Sequence, residues 1–238
     1  MDERFIRAEA MLGSDGMDRL RRSRIAVVGL GGVGSWCAEA LGRCGVGELI
    51  LLDQDEVSLS NRNRQLCSLE DSTGRAKSVV MAERIQAINP SCRVTPLVAR
   101  YEAANRELLF SLRPDYIVDA IDLVACKLDL IETALQRGIP IISALGTGNK
   151  RDASRLRICD ISKTEGCPFA RVIRRELRRR GINHLTVVFS AEEAVDSEQN
   201  EAPPPGRRSV PGSLVWVPAT AGMLLAQHVV LSIAEKNG

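Results

Sequence analysis

The hydrophobic positions along the chain form two alternating kinds of run. Short apolar runs, several rich in β-branched residues, predict strands, and longer segments with apolar residues at helical spacing predict helices. The predicted strands cover residues 25–28, 49–52, 94–98, 116–120, 139–144, 156–161 and 185–189. The predicted helices cover residues 4–12, 15–22, a segment that follows the glycines at 29–34, and residues 74–88, 123–137, 169–180 and 214–234. This alternation predicts an α/β fold with a Rossmann-like, doubly wound and mainly parallel sheet.

The character of the sequence changes after Gly148. We expect the later strands and helices to form a C-terminal extension of the same domain. The segment 192–212 is rich in acids, proline and glycine, which predicts a mobile loop. The last predicted helix is apolar enough to raise the question of a membrane span. The helix is interrupted by three residues, Pro218, Gln227 and His228. We therefore expect a buried core or dimer helix and no stable membrane association.

A glycine-rich turn follows the first predicted strand. Four glycines in a G-x-G-G-x-G pattern separate this strand from a predicted helix: Gly29, Gly31, Gly32 and Gly34. Unpaired backbone N–H groups at a helix start bind phosphate well, and glycines allow its close approach. Asp53 lies 19 residues after Gly34, at the end of the second strand, where an acidic side chain commonly binds a ribose hydroxyl. Together these features favour a nucleotide site over the alternative, a tight turn that binds no ligand.

Polar side chains that suit a triphosphate are concentrated after Asp53. The segment 53–65 carries acids, amides and arginines, and Lys77 follows near the next helix start. Asp119 and Asp122 end the fourth predicted strand, at the sheet edge where α/β proteins bind ligands. Arg64 and Lys77 could neutralise phosphates, and Asp122 could hold Mg²⁺ between them. This combination favours attack at an α-phosphate over hydride transfer. Taken singly, Arg64 and Lys77 could also be surface charges, and Asp119 could be a strand-end cap.

Several motifs together resemble the E1-like adenylating superfamily, whose members activate ubiquitin-like proteins and sulfur carriers. They lie between Arg4 and Gly148: Arg4-Phe-Ile-Arg7, Gly29-x-Gly-Gly-x-Gly-Ser35, Asp53-x-Asp55-x-Val57-x-x-Ser60-Asn61, Arg64-Gln65, Gly74-x-x-Lys77 and Asp119-Ala-x-Asp122. The resemblance implies an ATP-binding adenylation core over residues 1–148, with its N-terminal helices. It implies a substrate-binding and dimerisation extension over residues 149–238.

The resemblance also assigns roles to single residues. It implies that ATP is bound by twelve residues: Gly29, Gly31, Gly32, Gly34, Ser35, Asp53, Asp55, Asn61, Arg64, Gln65, Lys77 and Asp122. Among these, Arg64, Lys77 and Asp122 would be catalytic, and Asp122 would bind Mg²⁺. A further catalytic residue, Arg7, would reach across a homodimer to the ATP of the partner chain.

Two departures narrow the branch of the superfamily. The sulfur-carrier activators hold a structural zinc with two C-x-x-C pairs, but no cysteine follows Cys167 here, so four thiolate ligands are not available. We also expect this protein to lack the large domain that docks a ubiquitin-like partner. Instead, the segments 160–164, 187–190 and 211–218 resemble the branch that dehydrates N6-threonylcarbamoyladenosine at position 37 of ANN-decoding tRNAs.

That branch implies a definite chemistry. ATP adenylates the threonyl carboxylate, which makes AMP the leaving group in place of hydroxide. The neighbouring carbamoyl group then attacks within the same nucleoside and closes a five-membered ring. Well-oriented intramolecular reactions of this kind reach effective molarities of about 10⁵ M or more. A protein nucleophile is therefore not required, and no cysteine stands out as one, although the sequence leaves open whether a transient cysteine thioester forms.

A local basic cluster offers a place for tRNA. The net charge of the chain is only +2, but residues 150–180 carry eleven basic and four acidic side chains, a local net charge of +7. Four arginines at i, i+3, i+4 and i+7 share one helix face and are predicted to bind tRNA: Arg171, Arg174, Arg175 and Arg178. The alternative is a solvated helix face balanced by the acidic loop 192–201. Aromatic residues make up 3% of the chain, so we expect backbone contacts more than base stacking.

The remaining composition bears on location and partners. Seven cysteines are scattered without a C-x-x-C pair, which favours a reducing, cytoplasmic location. The sequence leaves open whether a cysteine desulfurase or another sulfur-acceptor protein is a partner. Three alternative functions stay open: an activator of a ubiquitin-like sulfur carrier, a non-catalytic nucleotide-binding scaffold, and a nicotinamide dehydrogenase.

Overall fold

A computed structural model describes residues 2–195 and 210–235. Seven strands in these ranges form one sheet in the order β3-β2-β1-β4-β5-β7-β6, parallel throughout except that β6 runs antiparallel to β7. The strands are β1 Arg24–Val28, β2 Glu48–Leu52, β3 Arg93–Leu97, β4 Tyr116–Asp119, β5 Ile141–Ala144, β6 Leu156–Asp160 and β7 Thr186–Ser190. The predicted doubly wound, mainly parallel sheet is confirmed.

The helices agree with the apolar periodicity, with differences at their ends. They are α1 Ile6–Arg22, α2 Gly34–Arg43, α3 Lys77–Ile88, α4 Glu107–Phe110, α5 Val124–Gln136, α6 Pro168–Arg179 and α7 Trp216–Ala234. The two predicted N-terminal helices are the halves of α1, which Gly13 interrupts with a φ of +73°. The third helix begins at Lys77 instead of Gly74, because Gly74 has a φ of +82° and belongs to the preceding turn.

The strand register brings the predicted site residues to one edge of the sheet. Val28, the last residue of β1, is paired with Leu52 of β2 on one side and with Asp119 of β4 on the other. The three strands therefore end side by side, and the residues that follow them lie at the same edge of the sheet: Gly29, Asp53 and the turn after Asp119. Since the strand order reverses at β1, a crevice opens between these chain segments, which is where doubly wound sheets bind ligands.

Helices cover both faces of the sheet with separate apolar clusters. Residues of α1, α2, α3 and α7 pack on one face, with Met17 of α1 and Leu225 of α7 fully buried. Residues of α4, α5 and α6 pack on the other, with Leu130 of α5 and Ile173 of α6 fully buried. The central strands are buried on both sides, which explains their continuous apolar runs.

The C-terminal part of the chain completes this core. Strands β6 and β7 extend the sheet beyond β5, and α7 returns to pack against α2. At Gly222 a Cβ atom would lie only 2.4 Å from the carbonyl oxygen of Val33, so only glycine permits this approach. The helix is long and apolar enough to span a membrane, with a mean hydropathy of 1.5. However, 56% of its 18-residue apolar stretch is buried inside the protein. It packs as a core helix.

The predicted mobile loop 192–212 is wrong at its two ends. Glu192 is buried, and its carboxylate accepts the backbone N–H groups of Arg151 and Asp152 at 2.9–3.1 Å. Gly212 and Asn149 exchange two further hydrogen bonds. These contacts fix both ends of the segment 192–212. At the first end the buried Glu192 carboxylate requires hydrogen-bond donors, which residues 151 and 152 provide. Residues 196–209 of the predicted loop lie outside the described residues.

Candidate nucleotide site and basic helix

The glycine turn is compact because no side chain fits inside it. Gly29 has a φ of +90°, and a Cβ atom there would lie 2.8 Å from the carbonyl oxygen of Ala120. At Gly34 a Cβ atom would lie 1.8 Å from the carbonyl oxygen of Gly29. The turn therefore folds tightly between the end of β4 and the first residue of α2. It places Gly29 and Gly31 in the cleft, just before the start of α2, whose backbone N–H groups and dipole favour an anion.

A cleft at this sheet edge gathers seven of the predicted residues. Its lining includes Gly29, Gly31, Asp53, Asp55, Gln65, Lys77 and Asp122. It also includes residues that the sequence analysis missed: Gln54, Ala99, Arg100, Tyr101 and Cys126. Six predicted residues do not line it in this structure: Arg7, Gly32, Gly34, Ser35, Asn61 and Arg64.

Asp53 is fixed at the end of β2 by backbone donors. Its Oδ2 accepts the N–H of Leu30 at 2.6 Å, and its Oδ1 accepts the N–H of Asp55 at 2.8 Å. Burial raises the pKa of the Asp53 carboxyl, while the nearby Lys77 charge and these two hydrogen bonds oppose the rise. Each oxygen keeps a further lone pair, so the carboxylate can accept ribose hydroxyls without losing its anchors.

Lys77 brings a buried positive charge to the same cleft. Its Nζ lies 3.0 Å from Oδ2 of Asp55, and its side chain is only 5% exposed while that of Asp55 is 55% exposed. The Lys77 N–H also donates to the Asp55 carbonyl at 3.0 Å, which aligns the start of α3 with the turn after β2. A phosphate oxygen entering the cleft can therefore meet an ammonium group that is already in place.

The turn before α3 holds Asn61 and Arg64 beside the cleft. Asn61 is buried, and its Oδ1 accepts the N–H of Ser58 at 3.2 Å, which closes the turn. The Arg64 guanidinium donates to the Ser60 carbonyl at 2.9 Å and to Oδ1 of Asn63 at 2.8 Å. The Arg64 side chain thus contacts residues of its own loop in this structure.

Ser35 and Gln65 differ in what their polar atoms contact. Ser35 is fully buried, and its hydroxyl donates to the Gly31 carbonyl at 2.7 Å and accepts the N–H of Leu66 at 3.2 Å. It therefore braces the glycine turn. Gln65 lines the cleft, and its buried Oε1 has no hydrogen-bond partner among the described residues. That oxygen is available to a donor on a ligand.

The two aspartates after β4 have different environments. Asp119 is fully buried and lies 2.6 Å from Nζ of Lys127, so it is a structural residue and not a ligand. Asp122 is exposed and lines the cleft. Among the described residues, no group of three or more His, Cys, Asp and Glu side chains could hold a metal ion alone. This donor set fits Mg²⁺, which takes one or two carboxylates and completes its shell with phosphates and water.

Lys127 and Tyr101 could have been found from two signals in the sequence. Lys127 is a lone charge on an otherwise apolar helix face, and Tyr101 follows the carboxyl end of the third strand. Tyr101 donates its hydroxyl proton to Asp129 at 2.8 Å. Burial is the main cause of the raised pKa of Tyr101. It stays protonated and anchors one wall of the cleft.

The basic helix α6 confirms the predicted common face of the arginines. Together with Arg179, the four predicted residues surround one open surface depression. Their roles differ, however. Arg174 is half-buried, and its Nη1 donates to the carbonyl and hydroxyl oxygens of Thr164 at 2.5 Å. Arg171, Arg175 and Arg178 are exposed, and Arg175 also lies 3.1 Å from Glu176. Glu192, part of the acidic loop that could have balanced this face, instead binds residues 151 and 152.

Three of the buried cysteines are not activated nucleophiles. All seven are free thiols. Burial raises the pKa of Cys67 and of Cys92 to about 11, and that of Cys37 further still. These thiols remain protonated near neutral pH, whereas the thiolate is the reactive form.

Comparison with known proteins agrees with this geometry over almost the whole chain. Residues 4–237 match the model of the ThiF family. The chain is 39% identical over 244 residues to the tRNA threonylcarbamoyladenosine dehydratase of Bacillus subtilis, an alignment that covers 99% of this chain and 96% of the relative.

Solved structures give the same result. The Escherichia coli tRNA N6-threonylcarbamoyladenosine dehydratase is 34% identical, with 98% of this chain and 94% of that chain covered. The TM-score is 0.89 for its complex with AMP and 0.88 for its complex with ATP.

A relative with another activity matches a smaller part of the chain. The sulfur carrier protein ThiS adenylyltransferase of E. coli is 32% identical over 134 residues, which cover 56% of this chain and 53% of that protein. The resemblance to the E1-like enzymes is confirmed, and the chain belongs to the ThiF family.

Proposed function

We propose that this protein is an ATP-dependent dehydratase of N6-threonylcarbamoyladenosine in tRNA. One observation carries the choice within the family. The likeness to the dehydratases covers 98–99% of the chain, whereas the likeness to the sulfur-carrier activator covers 56% of it. We propose that β6, α6, β7 and α7 form the substrate-binding and dimerisation extension 149–238 beside an adenylation core 1–148.

The cleft suits the first half-reaction, transfer of adenylate to the threonyl carboxylate. Asp53 would accept the ribose hydroxyls, and the glycine turn with the start of α2 would hold the phosphates. Lys77 and Arg64 would neutralise charge as the carboxylate attacks the α-phosphorus and pyrophosphate leaves. These residues thus bind and orient groups and supply no covalent intermediate of their own.

The second half-reaction depends on the substrate itself. The carbamoyl group lies close to the activated carboxyl carbon within the same nucleoside, so its attack expels AMP and closes the ring. The nucleoside thus loses the elements of one water: one carboxylate oxygen leaves with AMP, one N–H proton is released on ring closure, and the carboxyl proton was already lost on ionisation. Proximity supplies much of the rate, and the protonated cysteines are consistent with a reaction without a protein nucleophile.

Asp122 is the proposed magnesium ligand. Its exposed carboxylate lines the cleft together with Asp55. A bound Mg²⁺ would draw negative charge from the phosphate oxygens. The protein's own part is to present one or two carboxylates and leave the other positions to phosphates and water.

The exposed arginines of α6 are the proposed contact with tRNA. Arg171, Arg175 and Arg178 present their charges on one face, and Arg174 anchors the helix to Thr164. Such a face binds phosphates without reading bases, so binding should weaken steeply with salt. We propose that the tRNAs are the ANN-decoding ones that carry the threonylcarbamoyl group.

We further propose a cytoplasmic homodimer. Arg7 is exposed on α1 and does not line the cleft of its own chain, so it could complete the site of a partner. Seven free thiols suit a reducing compartment. A cysteine desulfurase or another sulfur-acceptor protein is a candidate partner, because sulfur-carrier activators are among the relatives.

An ATP turnover assay tests the proposal against its main rival. Purified protein is incubated with ATP and Mg²⁺, and AMP and pyrophosphate are measured with modified tRNA, with unmodified tRNA, or with a ubiquitin-like sulfur carrier. We expect AMP formation only with the threonylcarbamoylated tRNA. AMP formation only with the carrier would favour the sulfur-carrier activator instead.

A further inference from the structure

Two opposite charges are completely buried at the sheet edge below the nucleotide cleft. Asp119 and Lys127 are both 0% exposed, and Nζ of Lys127 lies 2.6 Å from Oδ2 of Asp119. The same oxygen accepts the hydroxyl proton of Ser143 at 2.7 Å, and Lys127 also donates to the Ala144 carbonyl at 3.0 Å. The network thus joins the ends of β4 and β5 to the first turns of α5.

Stability alone does not explain this pair. Both ions lose their hydration on burial, and their mutual attraction rarely exceeds that cost. Apolar side chains of similar volume at such positions are often equally stable or more stable. The position beside the cleft therefore points to a use other than holding the core together.

The second oxygen of Asp119 shows what the pair holds. Oδ1 accepts the N–H of Ile121 at 3.0 Å, which fixes the turn directly after β4. Within this turn the Ala120 N–H donates to the Val28 carbonyl at 2.9 Å. The turn is thus held on one side by the buried network and on the other by the strand that leads into the glycine turn. The next residue, Asp122, lines the cleft.

We propose that Asp119 and Lys127 form a positioning pair that fixes the turn 120–122 and so places Asp122 for a magnesium-bound triphosphate. Neither side chain touches the ligand, because both are buried beneath the turn. A carboxylate held in place loses less conformational freedom when the metal–nucleotide binds. This inference rests on the role of Asp122 in the proposed function.

Two double variants separate the charge from the anchor of the turn. Asp119→Leu with Lys127→Met removes both charges and the acceptor for the Ile121 N–H. Asp119→Asn with Lys127→Met also removes both charges, but the Asn amide oxygen can still accept that N–H. The second variant is the matched control. Binding of ATP is measured by calorimetry with and without Mg²⁺, and amide hydrogen exchange is followed at Ile121 and Asp122.

We expect the Leu/Met variant to fold and to bind ATP without Mg²⁺ within about twofold of the wild type, since the other ligands of the nucleotide are untouched. Its affinity for ATP with Mg²⁺ should fall about tenfold or more, the usual effect of losing an outer partner of a metal ligand. Exchange at Ile121 and Asp122 should become faster. The Asn/Met variant keeps the acceptor for the Ile121 N–H but loses the charge that holds it, so it should lie between the wild type and the Leu/Met variant in Mg²⁺-dependent affinity and in exchange.

Three results would overturn the inference. The first is a Leu/Met variant that folds and matches the wild type in Mg²⁺-dependent binding of ATP and in amide exchange. The second is that both double variants fail to fold, which would make the pair a requirement of the core. The third is that ATP binding by the wild type does not depend on Mg²⁺, or that Asp122→Asn binds ATP with Mg²⁺ as the wild type does. Only this last result would also remove the metal role of Asp122 from the proposed function, so the two failures are distinguishable.

Discussion

At the scale of single residues, Asp122 is the side chain whose change should separate chemistry from folding. It is exposed on the cleft, and substitutions at exposed sites usually alter stability by no more than about 0.5 kcal/mol. We expect Asp122→Asn to abolish formation of AMP through lost metal binding, with an unchanged melting temperature. AMP release and thermal unfolding measure the two effects.

The matched control for this substitution is Asp71→Asn. Asp71 is also an exposed aspartate, but it does not line the cleft. This variant should turn over at the wild-type rate. Unimpaired turnover by Asp122→Asn would refute the role given to its carboxylate.

Asp53 should leave a signature in the pH dependence of stability. Burial raises its native pKa above the ordinary value of 3.8, so between these two pKa values the folded state binds more protons than the unfolded state. Its contribution to stability is therefore present below pH 3.8 and is lost as the pH rises through the native pKa. Relative to the wild type, Asp53→Asn should gain free energy of unfolding over that window and then level off.

Urea unfolding of both proteins at a series of pH values measures this difference. Taking the difference cancels the other carboxylates, which titrate alike in the two chains. A difference that stays flat, or that falls as the pH rises, would show that burial does not dominate the environment of Asp53.

The residues that line the cleft were easier to predict from the sequence than their contacts with other parts of the chain. Asp53, Lys77 and Asp122 were predictable because a motif places them at the carboxyl edge of known strands. The salt bridge of Lys127 with Asp119 was not, because a buried charge pair depends on how α5 packs below the turn. The bonds of Arg174 to Thr164 likewise depend on the turn that precedes α6. Helical spacing alone cannot distinguish an anchored arginine from an exposed one.

At the scale of elements, α6 is predicted to bind tRNA through its exposed arginines. We expect Arg171→Gln combined with Arg178→Gln to raise the KM for tRNA several-fold, because two phosphate contacts are lost. The affinity for ATP should not change, since neither arginine lines the cleft. Steady-state kinetics at several salt concentrations should also show a weaker dependence on salt.

Two arginines at the other end of the strands provide the control for α6. Arg22 precedes β1 and Arg93 begins β3, both at the amino-terminal edge of the sheet. Arg22→Gln with Arg93→Gln removes the same charge and should leave the KM for tRNA unchanged. Equal effects of the two double variants would mean that total charge, and not α6, governs binding.

Element types were predictable from apolar periodicity, and the exceptions have local causes. The four residues of α4 are too few to show a helical period. The ends of the loop 192–212 looked mobile by composition, but the buried Glu192 carboxylate ties one end to residues 151 and 152. Such a contact joins distant parts of the chain, so composition cannot reveal it.

At the scale of the whole molecule, the proposed homodimer can be tested by complementation. Arg7→Ala and Asp122→Asn homodimers should each be inactive. If Arg7 serves the partner's site, a mixed dimer regains one complete site. After subunit exchange, an equal mixture with twofold symmetry should recover about a quarter of the wild-type activity.

Gel filtration before mixing confirms that both variants form dimers. A mixture that stays inactive after verified subunit exchange would contradict the role of Arg7 across the interface. Activity of the Arg7→Ala protein alone would show that this arginine is dispensable.

The central claim is that this chain converts a threonylcarbamoyl nucleoside in tRNA to its cyclic form at the expense of ATP. The most direct measurement is mass spectrometry of the nucleosides of threonylcarbamoylated tRNA after incubation with the protein, ATP and Mg²⁺. The account predicts that the modified nucleoside loses the mass of one water and that one AMP is released for each ring closed. An unchanged nucleoside mass, with active protein that binds ATP, would contradict it.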